Sequence, residues 1–255
     1  MTGEQRTTLD DVAQALGLRG EKRKSMQGHP LPTNTAHDPE HHLFCTITFG
    51  QAPVAVTIVT GIPEGANELA RSTGSGMDWF FAQANEDTGV AQVYVGSRPA
   101  DILRVFRRLP PWFRYALQQA AGAKEIHIAV FSAGVFALSA FRDLSTEPFE
   151  RISARLQSLT LASPFLGTDC VASPALRSVV RLLGFPSTAQ TLDAIAPLIE
   201  NLQAQGRPVR AILGQEDPVI DGKRARDALQ HRFLDTSIVV KPRQHAPSPE
   251  ELWPY

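Results

Sequence analysis

The sequence predicts an α/β architecture, a mainly parallel central sheet with helices on both faces and a small insertion over one end. Three observations lead there. From residue 54 onward, short apolar runs alternate with helix-like patterns. Such alternation requires crossover connections, and crossovers produce parallel strands covered on both faces. One of these runs, Ile126 to Phe131, meets Ser132-Ala133-Gly134 and passes without a gap into a second apolar, Ala-rich run from Val135 to Phe141. Small residues at that corner are what an abrupt strand-to-helix turn needs. Finally, 255 residues with 43% hydrophobic and 20% charged side chains suit one large globular domain with a substantial core.

Composition also excludes some classes. The formal net charge is −1, so no global field recruits nucleic acid or an anionic membrane. The two cysteines, Cys45 and Cys170, form no C-x-x-C pair, which argues against a disulfide framework or a cysteine metal site. The first residues, MTGEQRTTLDDVAQ, contain no apolar core of a signal peptide. No apolar run approaches the roughly 18 residues of a membrane span. The expectation is a cytoplasmic protein.

Taken in order, Thr8 caps a short amphipathic helix over residues 9–18. Residues 20–41 lose periodicity and read as a solvated linker, so residues 1–41 form an N-terminal helix and linker and residues 42–255 the main domain. The string HDPEHH, residues 37–42, invites a metal reading. Pro39 interrupts any helix that would align those ligands, and a solvated loop is the preferred account. Residues 43–49 and 54–60 are strands joined by Gly50-Gln51-Ala52-Pro53, a hairpin expected to supply the antiparallel edge. A helix near residues 77–84 precedes a strand over 90–95. Pro110-Pro111 opens a helix carrying Trp112, Tyr115 and Leu117. After the strand–turn–helix unit come a strand over 156–162, an irregular segment 164–190 with a short helix over 174–183, and a helix over 192–203. Together residues 164–205 form a lid or cap insertion. A strand over 209–213, a helix over 223–233, a strand over 237–241 and a short C-terminal turn that docks Trp253 complete the chain.

Sites in such sheets gather where the strands end at their carboxyl side. The polar residues just beyond those ends are Ser132, Asp169, Asp217 and His245. Val130-Phe131-Ser132-Ala133-Gly134 is similar to the G-x-S-x-G nucleophile elbow, with Val130 in place of the first glycine. Gly214-Gln215-Glu216-Asp217-Pro218-Val219-Ile220 and Gln244-His245-Ala246-Pro247-Ser248 follow later strands. Ser, Asp and His thus occur in the order of the α/β-hydrolase triad.

On these motifs the chain from about residue 42 to its end resembles the α/β-hydrolase superfamily, of the esterase, lipase and thioesterase kind. The resemblance implies the α/β-hydrolase fold and an ester or thioester hydrolase working through an acyl-enzyme without metal or cofactor. Its substrate would be a small acyl compound, free or carrier-bound. Ser132 is the nucleophile it implies, His245 the general base and Asp217 the acid that orients the imidazole. Asp169 is the rival acid, because some members place the acid after the preceding strand. The backbone N–H groups of Ala133 and Ile62 would form the oxyanion hole. Phe165, Leu166, Leu176, Val179 and Leu183 of the insertion could line an acyl pocket or only pack on the body. Arg98, Arg104, Arg107, Arg108 and Arg114 could greet an anionic carrier, although a solvated helix face is the preferred account. His231 reads as a surface residue and His127 as a core histidine with a partner. Two other outcomes stay open: a same-fold lyase, cyclase or C–C bond hydrolase using the triad, and a catalytically silent binding protein.

Overall fold

A computed structural model of the chain describes residues 19–20, 34–38, 43–48, 52–60, 83–95, 102–142, 147–242, 245 and 247–254. Its centre is one nine-stranded sheet in the order β1-β2-β3-β5-β4-β6-β7-β8-β9. The strands are β1 (Arg19–Gly20), β2 (Asn34–Asp38), β3 (Leu43–Thr48), β4 (Val54–Thr60), β5 (Thr88–Val95), β6 (Glu125–Phe131), β7 (Leu156–Ala162), β8 (Val209–Gly214) and β9 (Ser237–Lys241). From β5 to β9 every neighbouring pair is parallel, while β1, β2 and β3 add an antiparallel edge.

The inner parallel strands β4, β6, β7 and β8 read as largely apolar runs because both faces are covered. In β6, Ile126, Ile128 and Val130 point into the larger core, and Ala129 and Phe131 point into the smaller one. In β4, Ala55 and Val59 join the first core, and Val56 and Ile58 join the second. Helices α1 (Ile102–Gln119), α2 (Glu147–Arg155), α3 (Pro174–Leu182), α4 (Thr188–Ala204) and α5 (Gly222–Arg232) contribute to the larger core. Leu252 of α6 (Pro249–Leu252) and the adjacent Trp253 cover the smaller one. The elbow helix, Ser132–Phe141, has the hydrogen bonding of a 3₁₀ helix. It is apolar all round and accordingly enclosed, with α1 and α4 packed against it.

Several expectations need correction. Strands β3 and β4 are not a hairpin. β5 lies between them, antiparallel to β3 and parallel to β4. The Gly50–Pro53 signal marked a break in the chain without fixing which strand lies alongside. Residues 34–38, expected within a linker, form β2 and pair with β3. It lies between β3 and the two-residue β1, and its sequence, Asn34-Thr35-Ala36-His37-Asp38, carried no apolar strand signal. Pro110 and Pro111 lie inside α1, eight residues after its start, instead of opening it. The ring nitrogens there have no hydrogen to donate, and burial of Leu109, Trp112, Phe113, Ala116 and Leu117 offsets the two lost bonds. Helix α2, whose Phe149 and Ile152 reach the core, had not been anticipated. Helix α4 packs on the elbow helix, β7 and β8, which makes it a crossover covering the sheet more than a part of a lid. The helices expected at 9–18 and 77–84 lie outside the described residues.

Phe141 ends the elbow helix with no exposed surface, 6.0 Å from the Phe113 ring and 5.2 Å from the Phe149 ring. Phe141→Ala should lower stability by about 3–5 kcal/mol, read as a reduced urea midpoint with an unchanged slope.

Candidate active site

The strand–helix corner sets the first functional group. Phe131 ends β6 in an extended conformation, and Ser132 turns to a positive φ of 53°. A non-glycine residue rarely adopts that region, so the surroundings must hold it there. Gly134 is part of the reason. A Cβ at this position would lie 2.3 Å from the Val59 carbonyl oxygen, so only glycine lets the elbow helix sit against β4. Val130 does not obstruct the corner. Its side chain is buried in the larger core, beside Val59 of β4 and Leu161 of β7 in the register.

Ser132 Oγ is 3.0 Å from His245 Nε2, and His245 Nδ1 is 2.8 Å from Asp217 Oδ2. A carboxylate only accepts, so Nδ1 carries the ring proton and donates it to Asp217. Nε2 of the neutral ring is then left to accept the Ser132 hydroxyl proton. The other Asp217 oxygen accepts from the amides of Val219 (2.8 Å) and Ile220 (2.9 Å). Burial pushes the Asp217 carboxyl up. The hydrogen bond and charge of His245, with the Ile220 and Val219 amides, outweigh that and hold it below the ordinary Asp range. All three side chains are nearly enclosed, and the Phe131 ring lies 5.0 Å from the imidazole, tilted by 47°.

The other candidates fare differently from one another. Asp169 does not approach His245. One oxygen pairs with Arg181 at 2.9 Å, and the other accepts the Thr188 amide at 3.2 Å at the start of α4. That amide and Arg181 lower its carboxyl, against a smaller opposing effect of burial. Ala133 follows Ser132 in the first turn of the elbow helix, where amides have no partner within the helix. Ile62 lies outside the described residues. Of the expected pocket residues, Phe165 and Leu166 are core residues and Leu176 packs against the core. Val179 and Leu183 are 49% and 41% exposed, so the five do not form one lining. His127 is a buried core histidine bonded to Ser158 through Nδ1 at 2.8 Å. Its burial lowers the imidazole pKa, against an opposing effect of Glu125. His231 is exposed at the end of α5. Arg114 reaches the Ala140 carbonyl and lies 5.3 Å over the Phe149 ring. Arg98 lies outside the described residues, and Arg104, Arg107 and Arg108 sit on α1.

One contributor was not foreseen. Ser163, immediately after β7, has a positive φ of 37° and no exposed surface. Its Oγ donates to the His245 carbonyl oxygen at 2.8 Å. Its position just past a strand end, like that of Ser132, was the available signal.

Among the described residues no group of side chains could hold a metal ion, and no helix is long and apolar enough to cross a membrane.

Gly134→Ala should displace the elbow helix from β4 and lower the melting temperature, whereas Gly122→Ala, at an open position, should not. Because the folded carboxyl of Asp217 is depressed, its contribution to stability is present above the unfolded Asp value of about 3.9 and is lost as pH falls through the folded value. The stability difference between wild type and Asp217→Asn should therefore narrow on acidification below about pH 4, as followed by urea unfolding across pH.

No protein-family model matches the sequence, and no curated protein matches it. Solved structures do match the fold. A candidate aryl esterase from Burkholderia cenocepacia is similar over 86% of this chain and 93% of its own, with 12% identity and a TM-score of 0.51. A candidate dipeptidyl aminopeptidase IV from Bacteroides ovatus is similar over 90% of this chain and 35% of its own, with 11% identity and a TM-score of 0.53. An esterase from Pyrococcus furiosus is similar over 91% and 87%, with 12% identity and a TM-score of 0.49. At such identities the likeness to the first two concerns the fold. Together with the strand order and the helices on both faces, it establishes that this chain has the α/β-hydrolase fold.

Proposed function

We propose that the protein is a serine hydrolase that cleaves an ester or thioester through an acyl-enzyme. The observation that carries the proposal is the unbroken chain from Ser132 through His245 to Asp217, with links of 3.0 and 2.8 Å. Its members follow three different parallel strands, β6, β8 and β9. The names of two structural neighbours, an esterase candidate and a peptidase candidate, agree with a hydrolase at the coarser level.

In this reading Ser132 Oγ attacks the substrate carbonyl carbon while its proton passes to His245 Nε2. Asp217 stays ionised and stabilises the imidazolium. The carbonyl oxygen becomes an oxyanion, held by the Ala133 amide and by a second amide from the loop after β4, with Ile62 the candidate. One such donor is worth about 2.7–4 kcal/mol in the transition state. Collapse of the intermediate breaks the bond to the leaving alcohol or thiol, which takes the proton from Nε2. Water then gives a proton to Nε2 and attacks the acyl carbon. The second intermediate releases the carboxylic acid, and Ser132 recovers its proton. Every proton is accounted for by the triad and water. For the substrate we favour a small acyl compound.

A fluorophosphonate probe should label the wild type and leave Ser132→Ala unlabelled. Turnover of p-nitrophenyl esters should fall by about 10⁴-fold in Asp217→Asn, through loss of the correct tautomer. Asp169→Asn should keep wild-type turnover. Absence of wild-type labelling would favour a silent binding protein. Labelling without ester turnover at any chain length would favour a lyase, cyclase or C–C bond hydrolase of the same fold.

A further inference from the structure

Among the described residues only two that are not glycine have positive φ, Ser132 at 53° and Ser163 at 37°. They occupy equivalent places, directly after the neighbouring parallel strands β6 and β7. Both bond to His245, one at its ring and the other at its main chain. Ser132 Oγ meets the imidazole Nε2 at 3.0 Å, and Ser163 Oγ donates to the main-chain carbonyl oxygen at 2.8 Å. Backbone strain persists only where the surroundings enforce it, and it collects at functional sites. Ser163 is itself fixed on both sides. Its amide donates to the Ile212 carbonyl of β8 at 2.8 Å, and two residues on, the Phe165 amide donates to the Ser132 carbonyl at 3.1 Å.

We propose that Ser163 is a positioning residue for the reaction at Ser132. Its hydroxyl holds the main chain of His245 so that the imidazole spans Ser132 and Asp217. The turn Ser163–Leu166 acts as a bracket. Through Ser163 it grips the histidine by its carbonyl, and through Phe165 it grips the nucleophile by its carbonyl. The distance between the two reacting side chains is therefore set by one short segment of main chain. His245 gains from such a bracket because it lies past the end of the edge strand β9, beyond Lys241. The imidazole's own contacts are with Ser132, Asp217 and the Phe131 ring. The link to Ser132 is one across which a proton passes during turnover. A donor aimed at the backbone takes no part in the exchange and keeps its geometry throughout.

The inference rests on the hydrolase reading, and the experiment separates the two. Ser163→Ala deletes the hydroxyl and keeps the strained Cβ, Ser163→Gly deletes both, and Ser163→Cys keeps a weaker donor of similar size. Fluorophosphonate labelling rates and p-nitrophenyl ester kinetics are measured for each, with melting temperatures. The downfield proton resonance of the His245–Asp217 hydrogen bond is recorded alongside. The expected result is a fall in kcat of about 10- to 100-fold in Ala and Gly, the scale of a small misplacement of a catalytic group. KM should be unchanged, Cys should be intermediate, and the downfield signal should weaken with kcat. Should Ala and Gly fail to fold, Cys alone gives the test: an intermediate kcat supports the proposal and a wild-type kcat overturns it. A folded Ser163→Gly with wild-type kcat overturns it, since the serine would then merely tolerate the turn. Loss of kcat only in proportion to melting, with the downfield signal intact, also overturns it. If the wild type itself does not label, the hydrolase reading fails instead.

Discussion

The close approach of the elbow helix to β4 is the constraint from which the rest of the site follows. At Gly134 the helix lies so near the Val59 carbonyl that a Cβ would come within 2.3 Å of its oxygen. This proximity forces the chain to turn sharply at Ser132, which takes up a positive φ of 53° and meets His245 through Oγ. It also fixes the elbow helix as the floor on which α1 and α4 pack. The larger core thus carries the energetic cost of the strained serine. Phe113, Leu138 and Phe141 have no exposed surface, and each can contribute on the order of 1.5–3 kcal/mol by its burial. That is comparable to the roughly 1–3 kcal/mol stored in one residue at an unfavourable φ.

Buried charge is the second constraint. Asp217 is 8% exposed, and an isolated carboxylate in that setting would be costly. The turn that follows supplies two amides to one oxygen and the imidazole supplies a proton to the other. The same three donors that make burial tolerable also keep the group ionised and fix the tautomer of His245. Stability and chemistry here are one arrangement. Asp169 shows the contrast. It is half exposed, paired with Arg181, and spends its second oxygen on the first amide of α4, which is the work of a helix cap.

Much of this was legible in the sequence, and the reasons are physical. Strands β6 to β8 sit between parallel neighbours, so burial wrote their positions as largely apolar runs, and the boundaries of β7 coincide with those read from the pattern. The fold class and the meeting of Ser132, Asp217 and His245 followed, because strand ends in a parallel sheet converge at one rim. Pairing was not legible. Whether β3 lies against β4 or β5 depends on contacts distant in sequence, and a Gly-Pro turn signal says nothing about them. Nor was the interior course of α1 through Pro110-Pro111, since the sequence displays the lost donors and not the core that offsets them. The exposure of Val179 and Leu183 was hidden for a similar reason. An apolar residue on an amphipathic helix has a direction only once the helix has a neighbour.

Val130 illustrates how a motif can be broken without breaking its cause. The G-x-S-x-G pattern places two glycines two residues either side of the serine, and the sequence treats them alike. Physically they differ. The second, Gly134, follows the turn and faces a carbonyl with no room for a Cβ. The first position belongs to β6, before the turn, where side chains alternate between the faces of the sheet. At 130 the alternation points into the larger core with Ile126 and Ile128, away from the face shared by Ala129 and Phe131. A valine there adds to the core that holds Ser132 in its strained conformation. The motif's essential part in this chain is therefore the serine together with the glycine after it, and the residue before it is free to serve packing.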